Sequence, residues 1–290
     1  MHACVNGLCF HRKIALVVVA TAIVGSIATA LVTRSIITTA AAEDTDHRRS
    51  AAQPKTGSGS EVKQGEPVAV VELFTSEGCS SCPPADNNLQ RLAKLAMTTH
   101  HNLIPLSFHV DYWNDLGWTD PLSQAKFSDR QREYAAAMQK RGVYTPQMIV
   151  NGQVEFIGSD QKVSDKAVEL ALNTPVKHLV DLSIPEAGAG QKPQLRYQVK
   201  DVVPAKDVDF VLNVAIVSKM ESFDVPRGEN AGHKLSHAWV VKSFEVVMLR
   251  EPDGVLEIDP YMIKPGNNRI VGYVQAKGSF EITGASAIEF

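Results

Sequence analysis

Apolar and polar positions divide the chain into four stretches. Between Ile14 and Thr33 an apolar run carries no charge, behind the basic flank His11-Arg12-Lys13. Residues 43–65 are polar and rich in Gly, Ser and charge, so nothing there can bury a core. Next, helical and strand periodicities alternate. Val68 to Phe74 is a short β-branched run, Asn88 to Met97 places Leu89, Leu92, Leu95 and Ala96 on one helical face, and Leu103 to Val110 is a second strand. A helix follows from Ser123 to Arg141, with Gly142 at its C-cap. Met148 to Val150 and Val154 to Ile157 form a hairpin through Asn151-Gly152, and Ser159 to Leu172 is a closing helix. Beyond Pro175 the texture becomes short alternating runs: Leu179 to Ile184, Leu195 to Val199, Val208 to Val217, Ala238 to Leu249, Val255 to Ile258 and Arg269 to Gln275. Turns such as 186–190 and Pro252-Asp-Gly254 separate them, and strands in series without helices predict a sandwich-like β-rich region.

This pattern predicts four parts: residues 1–42 for targeting, a linker over 43–65, an α/β domain over 66–175 and a β-rich domain over 176–290. The first part reads in two ways. As a signal peptide it has a basic flank, an apolar stretch and the small-residue pattern Ala28-Thr29-Ala30, with Ala40-Ala41-Ala42 as a second cleavage candidate. As an anchor it offers about 20 uncharged residues, enough to span a bilayer with the basic flank left in the cytoplasm. Both readings export the folded part, to a periplasmic location as a soluble or an inner-membrane-tethered protein. A net charge of −3 gives no basic footprint for nucleic acid. The four cysteines fall into two pairs, Cys4 with Cys9 before the apolar run and Cys79 with Cys82 after it.

The chemistry centres on Cys79-Ser80-Ser81-Cys82, set between the first strand and the first helix. A thiolate, not a thiol, attacks a disulfide, and unpaired N–H groups at a helix start stabilise negative charge. Cys79 is expected at that start, more exposed than Cys82, with Cys82 one turn in. Half of a zinc site and an inert structural bridge are the alternatives. Zinc usually takes four ligands, and there is no second Cys-x-x-Cys.

Leu73-Phe74-Thr75 through Cys82-Pro83 resembles the strand and active-site turn of thioredoxins and glutaredoxins. Val143 to Gly152, with Thr145-Pro146 followed by a strand and Asn-Gly, resembles the cis-proline segment of the same superfamily. More narrowly, Ser76 to Asp86 together with His109 to Trp118 resembles a family of exported bacterial thioredoxin-like proteins of unassigned function. The resemblance implies an α/β thioredoxin-like domain, a cis Thr145–Pro146 bond against the cysteines, and redox exchange. Cys79 would attack and Cys82 resolve. Glu72, a carboxylate on an otherwise apolar strand, would match the buried acid that moves the resolving cysteine's proton; its alternative is a solvent-facing edge position.

Other candidates lie near the expected carboxyl edge of the sheet. His109 and Asp111 are modulators, or else a satisfied histidine and a loop aspartate. Tyr112, Trp113 and Trp118 line a substrate groove, with Thr145 and Pro146, or form a small core beneath their loop. His233 and His237 lie four apart, but Gly228 and Gly232 argue for a loop, which leaves a weak metal site. The resulting expectation is an exported thiol–disulfide oxidoreductase without cofactor or metal, acting on protein thiols or disulfides with a redox partner protein. The rivals are a copper-handling protein using the thiolates with Met148 and His109, and a non-catalytic partner-binding module.

Overall fold

The computed structural model describes residues 65–99, 102–186, 191–201, 209–262 and 264–289. Cys4, Cys9, the apolar run at 14–33, nearly all of the expected linker and the turn residues 187–190 lie outside them. Among the described residues no helix is long and apolar enough to cross a membrane.

Strand β1 (Ala69–Thr75) is buried along its whole length, which is why its sequence is nearly all apolar. It pairs in parallel with β2 (Leu103–His109), from Ala69 opposite Leu103 to Thr75 opposite His109. Helix α1 (Pro83–Thr99) makes the crossover between them. On the other side of β1, β3 (Gln147–Val150) runs antiparallel and turns through Asn151-Gly152 into β4 (Val154–Ile157). Helices α2 (Ala125–Ala137) and α3 (Gln161–Leu172) complete a thioredoxin-like unit. The Asp160 carboxylate caps α3 by accepting the N–H groups of Lys162 and Val163.

The β-rich part supplies β5 (Leu179–Ser183), β6 (Gln194–Lys200), β7 (Phe210–Asp224), β8 (Lys234–Met248), β9 (Asp253–Glu257), β10 (Asn268–Ala276) and β11 (Ile282–Glu289). Four of these do not form a sheet of their own. They extend the first one, in the order β11-β10-β7-β8-β2-β1-β3-β4, and β8 joins β2 in parallel with Ser107 opposite Val240. The remaining strands form a second, three-stranded sheet, β5-β6-β9. Its alternating inner face, with Val180, Leu182, Leu195 and Val199, packs on Leu212, Val214, Ile216 and Ile270 of the large sheet.

The two faces of β1 feed different layers. Ala69, Val71 and Leu73 pack with Leu89 and Leu92 of α1 and Val168 of α3. Val70 and Phe74 pack with Phe108, with Phe127 and Tyr134 of α2, and in one continuous cluster with Phe244 and Tyr273 of the β-rich part.

The β3–β4 turn docks against that part as well. Asn151 and Gly152 both have positive φ, at 46° and 68°, as the tight turn closed by the Gln153 N–H on the Val150 carbonyl requires. A Cβ on Gly152 would lie 1.8 Å from the Phe280 carbonyl oxygen. Gly152→Ala therefore meets a left-handed backbone and an immovable neighbour together. It is expected to lower stability by at least about 2 kcal/mol, read as a fall in the urea midpoint at constant slope.

Candidate redox site

The cysteine turn is built by a chain of backbone bonds. The Cys79 N–H donates to the Ser76 carbonyl at 3.2 Å, and the Cys82 N–H to the Cys79 carbonyl at 3.1 Å. The Cys82 carbonyl then accepts from Ala85 at 2.8 Å and Asp86 at 3.1 Å, which starts α1. Pro83 occupies the first helical position, where a missing N–H costs nothing. The helix thus begins one turn later than expected, after Cys82 rather than at Cys79. Cys79 and Cys82 form a disulfide with their Cα atoms 5.4 Å apart. Both are fully buried, so the expected greater exposure of Cys79 is corrected; Ser80 and Ser81 are the exposed residues of the turn. The Ser81 hydroxyl lies 3.3 Å from the Cys79 sulfur.

The Thr145–Pro146 peptide is cis. Trp113 reaches this segment by donating its indole N–H to the Thr145 hydroxyl at 2.8 Å, and it also lies against Gly78, whose added Cβ would stand 3.0 Å from Trp113 Cβ. Trp113 and Thr145 are therefore joined by a bond, and Trp113 touches the cysteine turn. Tyr112 lies by the same threonine: its hydroxyl donates to Gln131 of α2 at 3.1 Å, and burial pushes its ionisation up to about 12 against the opposing effect of the Thr145 and Gln131 side chains. Asp111 accepts the Ser128 hydroxyl of α2.

Glu72 is buried, and its partners are not the cysteines. Its carboxylate accepts Arg130 Nε at 2.8 Å and Nη2 at 3.1 Å, Tyr273 Oη at 3.0 Å, and the Tyr134 hydroxyl. It lies on the face of β1 shared with Val70 and Phe74, turned to α2 and the β-rich part. The solvent-edge alternative is excluded by its complete burial.

The buried carboxylate within the cysteine turn's own segment is Glu77, two residues before Cys79. Fully buried, it accepts the Trp118 indole N–H at 2.8 Å and faces His237 Nε2 of β8 at 3.2 Å. The other ring nitrogen of His237 stands 3.6 Å from Asp86, one turn into α1. His109 ends β2 with Nδ1 2.7 Å from Asp120, which also accepts the Glu77 N–H at 2.9 Å. The two imidazoles meet edge to face, with centroids 4.5 Å apart. Burial alone would strip the proton from His237, but the carboxylates of Asp86 and Glu77 outweigh it and push its pKa up to about 10. Burial would raise the Asp120 carboxyl, yet His109 and two backbone N–H groups hold it below its ordinary value.

The segment between β7 and β8 closes over this turn. Buried Asn230 donates its amide to the carbonyls of Glu77 at 2.8 Å and Cys79 at 3.1 Å, and Glu229 accepts the Ser80 N–H at 3.0 Å. His233 is exposed while His237 is buried, so the pair does not share a site. Met148 is buried in the apolar layer under α1 and α3. Among the described residues no group of three or more His, Cys, Asp or Glu side chains is arranged around a metal position.

Of the residues picked out from the sequence, Cys79, Cys82, Thr145, Pro146 and Trp113 come together here; Glu77, Asp120, Glu229 and Asn230 were not picked out, and Asp86 and His237 were read only as a helix-start charge and a weak metal candidate. Glu77 and Asp86 stand in the same short motif as the cysteines, and that proximity is the signal that was available.

A family described as "Protein of unknown function (DUF1223)" matches residues 70–275. The solved structure of protein AGR_C_4864 from Agrobacterium tumefaciens is similar at 29% identity and a TM-score of 0.57, over 77% of this chain and 95% of that one. HBP35 of Porphyromonas gingivalis shares the fold at 13% identity and a TM-score of 0.54, over 78% of this chain and 76% of that one. No curated protein matches.

Proposed function

The chain belongs to the DUF1223 family, and from that premise we propose that it is an exported thiol–disulfide oxidoreductase acting on protein substrates. The observation that carries this reading is the Cys79–Cys82 disulfide, set between β1 and α1. In the reducing direction the Cys79 thiolate attacks a substrate disulfide, forming a mixed disulfide and releasing one substrate sulfur as thiolate. Cys82 then attacks Cys79, the Cys79–Cys82 bond forms, and the second substrate sulfur leaves. The substrate gains the two electrons that the dithiol loses. Run backwards, the same steps oxidise a substrate dithiol, and a redox partner protein resets the pair. Thr145 and Pro146, with Trp113 bonded to Thr145, form the edge where an extended chain is held by backbone bonds. Tyr112, bonded to Gln131 of α2 and lying by Thr145, supports that edge. The polar residues at 43–65 serve as linker between the targeting segment and the exported domain.

The test is a trap. Reduced Cys82→Ser protein is expected to capture oxidised unfolded proteins as mixed disulfides that Cys79→Ser does not form. Absence of trapped species at any pH, with the variant folded, makes the pair a structural bridge and overturns the reading.

A further inference from the structure

We propose that the segment between β7 and β8 keeps Cys79 and Cys82 a low-potential pair, so that the protein gives electrons to substrate disulfides rather than taking them from substrate thiols, with Glu229 as a residue that tunes the balance. The inference rests on the exchange reading above and assigns its direction.

A cysteine pair becomes a strong oxidant when its reduced form is stabilised, above all by groups that favour the thiolate. N–H groups aimed at the sulfur and nearby cations are the usual means. In this turn the N–H groups are engaged elsewhere. The Gly78 N–H donates to the Ser76 hydroxyl at 3.1 Å, the Cys79 N–H to the Ser76 carbonyl, and the Cys82 N–H to the Cys79 carbonyl. The Ser80 N–H goes to Glu229 at 3.0 Å. Glu229 and Asn230 thereby hold one peptide from both sides. Asn230 donates to its carbonyl at Cys79, and Glu229 accepts its N–H at Ser80. The N–H next to Cys79 thus faces a carboxylate rather than the sulfur. The segment that supplies both side chains is braced on itself, with the Val225 N–H on the His233 carbonyl at 2.9 Å and the Gly232 N–H on the Val225 carbonyl at 2.8 Å. Its Gly228 has φ 81° and lies against Trp118, where an added Cβ would stand 3.2 Å from Trp118 Cβ.

Charge points the same way. Covalent geometry puts the Cys79 sulfur no more than roughly 5 Å from the Ser80 nitrogen, so the Glu229 carboxylate lies within about 8 Å of it. Bonding to Ser80 holds the Glu229 carboxyl below its ordinary value, so it is an anion at neutral pH. Glu77, Asp86 and Asp120 are buried around the turn, and the imidazoles of His237 and His109 face them. Even with both imidazoles protonated, the four carboxylates outweigh the two cations. No lysine or arginine among the described residues pairs with any of the four. Both sulfurs are fully buried, which disfavours a thiolate further. The Ser81 hydroxyl, 3.3 Å from the Cys79 sulfur, works in the other direction. Electrons then run one way. A dithiol protein of still lower potential reduces the Cys79–Cys82 bond and becomes a disulfide itself. The reduced pair passes the two electrons and two protons to a substrate disulfide, which leaves as a dithiol, and the Cys79–Cys82 bond forms again.

Two measurements test this on the full-length protein. In the first, it is equilibrated at pH 7 in glutathione and in dithiothreitol buffers, and its thiols are counted by alkylation and mass. It is expected to stay mostly oxidised in millimolar glutathione even at about a tenfold excess of the reduced form, and to become reduced in dithiothreitol. Half-reduction in the glutathione buffers overturns the direction. In the second, the reduced protein and Glu229→Gln are alkylated from pH 6 to pH 10, with the Cys79 product identified by mass and urea midpoints confirming that both are folded. Glutamine keeps an oxygen for the Ser80 N–H and removes the charge. At pH 7 and low salt Cys79 of the variant is expected to react about two- to fivefold faster, the gain shrinking with added salt and falling away as the thiol ionises. A gain equal at every pH means a loosened segment, and no gain means an idle carboxylate; either overturns the role of Glu229. A low potential without trapped substrate in Cys82→Ser overturns the exchange reading, and the direction with it. Trapped substrate with a high potential overturns the direction alone.

Discussion

Arg130→Met is expected to remove about 3–5 kcal/mol of stability, and to destabilise residues 66–175 and 176–290 together in one unfolding transition. Glu72 is a charge in the middle of a buried strand, and its ion pair with Arg130 joins β1 to α2. The β-rich part closes the arrangement: Tyr273 of β10 bonds the same carboxylate, and Gln275 donates to the Tyr134 hydroxyl at 2.9 Å and accepts from Arg130 at 3.3 Å. The guanidinium carbon also lies 4.8 Å from the centre of the Phe244 ring. Burial works against the charge on Arg130, but Glu72 and the surrounding hydroxyls overcome it and hold the guanidinium well above its ordinary value. Methionine fills the space and leaves Glu72 buried without a cation. Most of the loss comes from that orphaned carboxylate, so Glu72→Leu added to Arg130→Met is expected to recover a large share. Denaturant unfolding followed by far-ultraviolet circular dichroism and by tryptophan fluorescence checks both points. Two separated transitions, or a loss below about 1 kcal/mol, would mean that this hub does not couple the two parts.

What the sequence disclosed and what it hid divide by distance along the chain. The β1 strand, the cysteine turn, α1 and the Asn151-Gly152 hairpin are local patterns. Each is set by propensity, a turn dipeptide or a proline at a helix start, and each was readable. The β-rich character of the last hundred or so residues was readable for the same reason, from alternation. That β8 would run beside β2 was not, because one parallel contact at Ser107 and Val240 leaves no periodic trace. The site was hidden by the same route. Asn230 and His237 reach the cysteine turn across about 150 residues, and nothing in an alternating strand marks the position that will face a carboxylate. Glu72 was seen as an anomaly on an apolar strand, which was sound, but its partners Arg130 and Tyr273 were not identifiable from spacing. The charge was correctly picked out; the face it occupies depends on the register of the finished sheet, which β1 alone does not determine.

Asn230→Ala is expected to speed reduction of the Cys79–Cys82 disulfide by a small phosphine or dithiol, by roughly five- to a hundredfold. Both cysteines are inaccessible, so a reductant reaches sulfur only after the turn or the segment over it moves. The Asn230 amide makes two bonds to that turn, to the Glu77 and Cys79 carbonyls, and its removal leaves both carbonyls without this donor in a buried place. Losing such bonds costs about 1–3 kcal/mol, and here the cost falls on the closed form, because in the opened form water takes the donor's place. Each 1.4 kcal/mol off the opening free energy is about a tenfold gain in the reactive population. Trp118 remains bonded to Glu77 and Trp113 to Thr145, so the variant keeps the rest of the site's framework. Global stability is expected to change less than the reduction rate does, which separates local opening from general loosening. A rate equal to that of the unsubstituted protein would place the opening elsewhere, at Trp113 over Gly78, and Trp113→Ala would then show the acceleration that Asn230→Ala lacked.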